Sequence, residues 1–276
     1  MVINLKKQLL LMIAALTLLV SACSGGSATE KQENEELEPE AAATEQEKTE
    51  EVVEAEEPEE PIVEVVEPEY ELDATWGFTP IGDANSKVAL LTIDDAPDKR
   101  ALDMAKTLKE LNAPAIFFVN GHFIDSDEKK AVVKEIHDMG FEIGNHTMTH
   151  ADLQQLSEEE QREEIILVSD MVEEIIGERP RFFRAPFGQN TDFSRDLVKE
   201  DGMLLMNWSY GYDWEKQYME KDAIADIMIN TELLRDGVNL LMHDREWTAD
   251  ALGEIVEGLR GKGYEMLDPA LIKGVE

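Results

Sequence analysis

The stretch Val88–Pro97 reads Val-Ala-Leu-Leu-Thr-Ile-Asp-Asp-Ala-Pro, an apolar run that ends in two adjacent carboxylates. Because the run shows no polar alternation, it predicts a strand that is covered on both faces, as in a parallel α/β sheet. Pro97 cannot donate a ladder hydrogen bond, so we expect the strand to end there. Asp94 and Asp95 should therefore lie at the carboxyl end of a strand, where α/β proteins gather their reactive groups.

The two adjacent carboxylates impose a charge requirement. Neighbouring carboxylates repel each other, so Asp94 and Asp95 stay ionised together only if a cation compensates them. The sequence therefore predicts a metal ion or an arginine beside this pair. A turn that starts a helix at Asp98 is the other interpretation of the same residues.

Length and charge limit the classes of protein and partner. The chain has 276 residues, of which 43% are hydrophobic, enough for one sizeable domain with accessory segments. Its formal net charge of −36 argues against nucleic acid or an anionic membrane surface as a direct electrostatic partner. The same charged surface favours a monomer.

The amino-terminal segment has the pattern of an export signal. Lys6 and Lys7 precede an apolar run at residues 9–20, which is too short to span a bilayer and typical of a signal-peptide core. Cys23, the single cysteine, follows small residues and resembles the bacterial lipoprotein box. The resemblance implies a signal peptide over residues 1–22, lipid attachment to Cys23, and an extracytoplasmic protein anchored in the cell membrane. An ordinary signal peptide or an uncleaved anchor is the alternative.

An acidic segment follows. Residues 30–71 contain 19 glutamates and two lysines, and no aromatic residue occurs in the segment before Tyr70. Such a composition cannot build a core, so we predict a disordered Glu-rich tether over residues 23–73. Both a solubilising spacer and a specific binding role for the glutamates fit this composition.

Residues 74–276 should form the folded domain, because short apolar runs alternate there with longer amphipathic ones in an α/β rhythm. The candidate strands are 88–93, 115–119, 142–144, 182–184, 203–207, 238–242 and 265–267. The candidate helices are 99–111, 127–139, 157–176, 191–200, 222–234 and 248–262. Ser157 and Glu160 form a capping box at the start of the third helix.

Polar residues follow several of these strands. His146 and His150 are four residues apart, and in a turn of helix their ring nitrogens would lie on one side and could meet one ion. Arg184 follows another strand and is expected to face Asp94. His243 ends the strand at residues 238–242. The aromatic stretch at residues 208–214 fits either a sugar-stacking wall or the edge of the core.

The order of these elements resembles the polysaccharide deacetylase family, also called the NodB-homology or carbohydrate esterase family 4 domain, over residues 86–268. The residues that match the five family motifs, in chain order, are Thr92-Ile93-Asp94-Asp95-Ala96-Pro97; His146, Thr147 and His150; Arg184, Pro186, Phe187 and Gly188; Asp213 and Trp214; and Leu241 and His243. Five motifs in the family's order are a far more specific match than any one of them.

Two positions depart from the family pattern. Ala96 replaces a glycine of the first motif, which is expected to tighten the loop beside the metal. The fourth motif retains Asp213 and Trp214 but is one residue short, with Gly211 near the place of its first aspartate. This loop lines the substrate groove in the family, so the substrate preference is open.

The resemblance implies a distorted (β/α) barrel of about seven strands, in keeping with the candidates above. It also implies a catalytic metal site formed by Asp95, His146 and His150. One oxygen and two nitrogen ligands leave positions open for water and substrate, and zinc is the default ion, with cobalt, nickel or manganese as alternatives.

The remaining family positions carry the reaction. The resemblance assigns Asp94 as the base, and Arg184 would keep it ionised. His243 would be the acid that protonates the leaving amine, tuned by Asp213. The residues expected to bind substrate are Phe187, through its backbone N–H, and Trp214 and Leu241, which would shape an acetyl pocket.

The implied activity is hydrolysis of N-acetyl groups on amino sugars of a cell-surface polysaccharide such as peptidoglycan. Ala96 and the short fourth motif prompt one alternative, a glycan-binding module of the same fold with little or no catalytic activity. A second alternative retains the hydrolase but changes the substrate, to an O-acetyl ester of xylan or a non-sugar amide.

Overall fold

The apolar run of the first motif forms strand β3, Val88–Ala96, whose nine residues are all buried. A computed structural model, which describes residues 66–274, places β3 between β4 (Ala115–Val119) and β8 (Val238–His243), both parallel to it. The predicted signal peptide, Cys23 and residues 24–65 of the predicted tether lie outside the described residues.

Helices alternate with strands along the described chain. In order, the elements are β1 (Tyr70–Leu72), β2 (Phe78–Pro80), β3, α1 (Ala101–Glu110), β4, α2 (Asp127–Asp138), β5 (Glu142–Asn145), α3 (Glu158–Ile176), β6 (Phe182–Phe183), α4 (Asp192–Glu200), β7 (Leu204–Leu205), α5 (Lys221–Asn230), β8, α6 (Glu246–Gly261) and β9 (Glu265–Met266). The main sheet has seven parallel strands in the order β7-β6-β5-β4-β3-β8, with β9 also paired to β3. This arrangement confirms the predicted distorted (β/α) barrel.

The absence of alternation in β3 follows from burial on both faces. Leu91 and Ile93 pack in a cluster with residues of helices α1 and α6, whereas Leu90 belongs to a second cluster with Phe118 of β4 and Phe182 of β6. Apolar side chains on both faces remove area from water on both faces, which stabilises the strand. The sheet is thereby a rigid support for the loops at its carboxyl edge.

The predicted capping box of the third helix is confirmed. Ser157 caps α3, accepting a hydrogen bond from the backbone of Glu160 while the Glu160 side chain returns to the backbone of Ser157. The helix ends at Gly177, which has a left-handed φ of 87°. Within residues 66–274, no helix is both long and apolar enough to cross a membrane.

The predicted domain boundary at residue 73 is wrong, because β1 lies before it. Tyr70 is 4% exposed and its hydroxyl donates to the carbonyl of Asn85 at 3.0 Å. Strand β1 pairs with β2 in antiparallel register. The high glutamate content of this segment led to the prediction of a tether. Tyr70 and Leu72 in fact alternate with exposed glutamates, which is the pattern of a half-buried strand.

We predict that Tyr70→Ala lowers the free energy of unfolding by about 3 kcal/mol or more, because it removes a buried ring from the second cluster. Tyr70→Phe retains the ring and loses only the hydroxyl bond, so it should cost about 1 kcal/mol. Urea denaturation of the full chain measures both. Equal stability of Tyr70→Ala and the unsubstituted protein would show that β1 is not part of the folded domain.

Candidate active site

A cavity of about 380 Å³ lies at the carboxyl edge of the sheet. It is lined by eight of the predicted site residues, Asp94, Asp95, His146, His150, Phe187, Trp214, Leu241 and His243, together with Ala185, Trp208 and Arg245. Strands β3, β5 and β8 end at this edge, which is why residues far apart in sequence meet here. Of the other predicted residues, Arg184 and Asp213 are buried behind the cavity wall.

Arg184 follows β6 and points beneath the cavity, where it is fully buried. Its Nη1 donates to Asp94 Oδ1 and to Thr92 Oγ1, both at 2.7 Å. The prediction that Arg184 faces Asp94 is confirmed. The acceptors for its remaining donors are the carbonyls of Met206 and Asn207 and the side-chain oxygen of Asn239.

The buried guanidinium is thus fully hydrogen-bonded. Burial lowers the pKa of Arg184, and the charge and hydrogen bond of Asp94 oppose that shift. The guanidinium also lies 4.4 Å from the centroid of the Phe118 ring, a cation–π distance. A buried cation without its carboxylate would cost about 3–5 kcal/mol, so Arg184 and Asp94 depend on each other.

Asp95, His146 and His150 form a group that could hold a metal ion. One ligand atom from each residue lies within 4.8 Å of the others. Asp95 Oδ1 is 3.5 Å from His150 Nε2 and 3.8 Å from His146 Nε2. The Nδ1 of His146 lies 2.7 Å from the carbonyl of Arg184, which fixes the proton on Nδ1 and leaves Nε2 free as a ligand. The donor set therefore fits a divalent metal.

The two histidines are brought together by a loop, and the predicted turn of helix is wrong. Strand β5 ends at Asn145, and Thr147 and His150 have φ angles of 69° and 60°, in the left-handed region. The Asn145 side chain accepts from the backbone N–H of Thr147 at 2.9 Å, and Asn120 donates its amide to the carbonyls of His146 and Thr147. These amide side chains satisfy the backbone that a helix would have satisfied itself.

Left-handed backbone is concentrated at the cavity. Six non-glycine residues in the described chain have positive φ, and four of them, Asp95, Thr147, His150 and Phe187, belong to the site or its loops. Strained conformations of this kind persist where the surrounding structure holds them, often at functional sites. Positive φ falls on Asp95 and not on Ala96, which is buried in the core, so alanine is accepted where the family has glycine.

His243 and Asp213 form a second close pair. His243 Nδ1 lies 2.6 Å from Asp213 Oδ1, and Asp213 Oδ2 accepts from the backbone N–H of His243 at 2.6 Å and from the Thr248 hydroxyl at 2.8 Å. Burial lowers the pKa of His243, but the hydrogen bond and charge of Asp213 outweigh it, so the pKa lies above its ordinary value. The ring edge that does not face Asp213 is left for the cavity.

Gly211, near the place of the first aspartate of the fourth motif, has no room for a side chain. The backbone of Tyr210 pairs with β8, and Leu241 donates its N–H to the carbonyl of Tyr210 at 2.8 Å. A Cβ at Gly211 would lie 2.4 Å from the carbonyl oxygen of Leu241 and 2.9 Å from the Trp214 ring. No side chain fits at residue 211, so the carboxylate of this motif comes from Asp213 alone.

The aromatic stretch at residues 208–214 divides between the cavity and the core. Trp208 and Trp214 line the cavity, with ring centroids 6.5 Å apart, while Tyr210 is buried in the core. Trp214 is 45% exposed and Phe187, which also lines the cavity, is 61% exposed. Exposed aromatic faces at the mouth of a cavity suit contact with the apolar faces of sugars.

Sequence reasoning missed Arg245. Its Nη2 donates to Asp95 Oδ2 at 2.6 Å and its Nη1 to Asp98 Oδ2 at 3.2 Å. Burial raises the pKa of Asp95, but three histidines and Arg245 outweigh it and bring the pKa below its ordinary value. The signal was available: two carboxylates need two compensating charges, and an arginine stands two residues after His243.

Comparison with known proteins agrees with this geometry. The family model for polysaccharide deacetylase matches residues 81–206. PdaC of Bacillus subtilis, named a peptidoglycan-N-acetylmuramic acid deacetylase, is 33% identical over 199 residues, which are 70% of this chain and 40% of PdaC. A Bacillus cereus peptidoglycan-N-acetylglucosamine deacetylase is 31% identical over 195 residues, which are 66% of this chain and 86% of that relative.

Solved structures are similar to this chain in both fold and sequence. The structure of PdaC has a TM-score of 0.61 at 31% identity and covers 68% of this chain and 91% of its own. BA3943 from Bacillus anthracis, described as a pseudoenzyme of carbohydrate esterase family 4, has a TM-score of 0.59 at 28% identity, covering 66% of this chain and 63% of its own. The chain therefore belongs to the polysaccharide deacetylase family.

Proposed function

We propose that the protein is a metal-dependent hydrolase that releases acetate from N-acetylated amino sugars of a cell-surface polysaccharide such as peptidoglycan. The observation that carries this proposal is that a carboxylate, Asp94, and a histidine, His243, line one cavity and are each held by a buried partner of opposite charge. Asp94 accepts a hydrogen bond from a buried guanidinium, and His243 is hydrogen-bonded to a buried carboxylate, which raises the pKa of His243. A carboxylate and a histidine held in this way suit a base and an acid.

Asp95, His146 and His150 are proposed to hold the ion. When bound, a divalent metal makes water more acidic and polarises the acyl oxygen. The mixed nitrogen and oxygen donor set favours zinc, with cobalt, nickel or manganese as other occupants. Because Arg245 takes Asp95 Oδ2, the carboxylate presents Oδ1 alone to the two histidines.

Asp94 is proposed as the general base. Arg184 binds its Oδ1, so Oδ2 is the atom left to accept a proton, and it lies 3.5 Å from His146 Nε2 at the edge of the proposed metal site. A water between this oxygen and the substrate carbonyl would lose its proton to Asp94 as it attacks. Through its bond to Oδ1, Arg184 fixes the orientation of the carboxylate.

The negative charge that develops on the acyl oxygen needs a donor. The backbone N–H of Phe187 is proposed for this role, since it donates to no acceptor within residues 66–274 and belongs to a residue with a left-handed φ of 58° that lines the cavity. A fixed backbone donor stabilises such a charge without reorganisation. Trp214 and Leu241 are proposed to enclose the acetyl methyl group.

His243 is proposed as the general acid. Its raised pKa supplies the protonated form, and Asp213 fixes the ring so that the other nitrogen faces the cavity. Proton transfer to the sugar nitrogen as the carbon–nitrogen bond breaks yields a free amine and acetate. Asp213 acts through His243 and touches no substrate.

The names of the relatives support an N-acetylated glycan as substrate. PdaC and the Bacillus cereus relative are both named as peptidoglycan deacetylases. The similar pseudoenzyme BA3943 favours one competing candidate, a glycan-binding module without turnover. In this chain the base, the acid and the ligand group are all present in one cavity, which favours the hydrolase.

The lipoprotein-like segment supports a location outside the cytoplasm. We propose that the protein is anchored to the cell membrane by a lipid on Cys23, with the Glu-rich residues as a spacer before the domain. A charge of this sign resists adsorption to anionic lipid, so electrostatic attraction to the membrane surface would not serve as the anchor.

We predict that the purified full chain with zinc releases acetate from peptidoglycan, and that chelation abolishes release. Asp94→Asn should lower the rate about 100-fold or more, because it removes the base. Asp83→Asn, at an exposed turn, is the matched control and should be unaffected. Zinc and glycan binding without any acetate release would instead identify a binding module.

We predict that the pH dependence of kcat/KM reflects the ionisation of His243, the proposed general acid. His243 acts in its protonated form, so activity falls as the pH rises through its pKa. Asp213→Asn removes the charge that raises this pKa. We expect the alkaline limb of the kcat/KM profile to move to lower pH while the acidic limb remains. An alkaline limb that does not move would exclude His243 as the acid that Asp213 tunes.

The anchor can be tested through the single cysteine. In cells fed an alkyne-tagged fatty acid, the unsubstituted protein should carry the label and sediment with membranes. Cys23→Ser should lose both the label and the membrane association. Retention of Cys23→Ser in the membrane fraction would point to an uncleaved apolar segment as the anchor.

A further inference from the structure

Arg245 is the guanidinium that lines the catalytic cavity. Its side chain is 27% exposed and lines the cavity wall, next to the proposed metal site. Arg184, the other guanidinium nearby, is fully buried with all its donors used. A negatively charged group that enters the cavity therefore meets Arg245 and not Arg184.

Arg245 retains hydrogen-bonding capacity. Its Nη1 is occupied by Asp98 and by the carbonyl of Asp244, and its Nη2 by Asp95 alone. Among the described residues no acceptor faces its Nε–H. A guanidinium has five donors, so two remain for a substrate: Nε–H and the second hydrogen of Nη2. The Asp95 and Asp98 bonds hold the group in place, which lowers the entropy lost on binding.

The local charge balance permits an anionic ligand. Asp94, Asp95 and Asp98 face two guanidiniums, those of Arg184 and Arg245, and the carboxylate of Asp244 is buried beside Asp98. The balance is two negative charges without a metal, and these are cancelled once a divalent ion is bound. The His243–Asp213 pair adds no net charge when His243 is protonated. The loaded cavity therefore does not repel an anion, even though the chain as a whole is acidic.

The position of Arg245 relative to His243 indicates where on the sugar the anionic group would be carried. In the proposed reaction His243 protonates the nitrogen of the acetamido group, and Arg245 follows it by two residues on the same loop. In N-acetylmuramic acid the lactyl carboxylate is carried on the ring carbon next to the one that bears the acetamido group. A carboxylate this close to the acetamido group would enter the cavity together with it, and Arg245 lines the wall of that cavity.

From these observations we infer that the site prefers N-acetylated sugars carrying a carboxylate beside the acetamido group, and that Arg245 binds that carboxylate. The inference rests on the proposed deacetylase function and specifies its substrate class. A hydrogen bond between charged groups is worth roughly a tenfold or greater preference over a neutral analogue.

The test compares two substrates that differ only in charge. One is an oligosaccharide that contains N-acetylmuramic acid, and the other is the same compound with its lactyl carboxylate converted to the amide. For the zinc-loaded full chain, kcat/KM for the acid should exceed that for the amide about tenfold, mainly through KM. Equal kcat/KM values would overturn the inference without any variant.

Variants then assign the preference to Arg245. Arg245→Gln should reduce the ratio of the two kcat/KM values to within about twofold, and Arg245→Lys should retain part of it. If Arg245→Gln also disturbs Asp95, the hydrolysis of both substrates slows by the same factor. The ratio of their kcat/KM values therefore reports only the interaction with the substrate carboxylate. Arg100→Gln removes a guanidinium bound to Asp103 and Glu246 outside the cavity, and the ratio should not change. An undiminished ratio in Arg245→Gln would contradict the assignment.

Binding without turnover separates this inference from the proposed function. If the unsubstituted protein releases acetate from neither compound, the proposed function fails. Calorimetric titration of zinc-loaded Asp94→Asn with the same pair then decides the inference by itself. About tenfold tighter binding of the acid, lost in the Asp94→Asn, Arg245→Gln double variant, supports it. Equal binding of acid and amide overturns it.

Discussion

The ion pair between Arg184 and Asp94 is the interaction on which the site depends. A fully buried guanidinium is tolerated because Asp94, Thr92, Asn239 and two backbone carbonyls accept all its hydrogen bonds. Such a pair adds little net stability, because desolvation offsets the attraction. What it provides is orientation. One carboxylate oxygen of Asp94 is bound by Arg184 and the other faces the cavity. The same guanidinium links β3 to Asn239 of β8.

Around this pair, each reactive group is held by a neighbour of opposite charge or by backbone. Arg245 holds Asp95, Asp213 holds His243, and the carbonyl of Arg184 holds the ring of His146. The loops between them adopt left-handed conformations at four non-glycine residues. The rigid parallel sheet supports that strain, and the result is a preorganised cavity in which few side chains must move during reaction.

The fold and much of the site could be predicted from the sequence because their signals are local. An uninterrupted apolar strand, a capping box and charged residues directly after strands each report one physical requirement. Strand β1 was missed because its apolar residues lie among glutamates that dominate the composition. The histidine loop was misassigned because spacing of four residues suits a helix, while the left-handed angles of Thr147 and His150 leave no trace in residue type.

Other features needed the three-dimensional contacts. The reason for Gly211 is the nearby carbonyl of Leu241, which is thirty residues away in sequence. Charge balance could have indicated Arg245, since Asp94 and Asp95 need two cations. That Arg245 pairs with Asp95, however, follows from the contact between the loops after β3 and β8. Pairings of this kind depend on tertiary geometry, which composition and spacing do not encode.

The central claim is that one cavity hydrolyses the amide bond of an N-acetylated sugar. Mass spectrometry of peptidoglycan fragments, incubated with the zinc-loaded protein, tests it most directly. The account predicts sugars that have each lost one acetyl group and gained one free amine, in amounts equal to the acetate released. Fragments that retain every N-acetyl group, or that lose acetate without gaining amines, would contradict it.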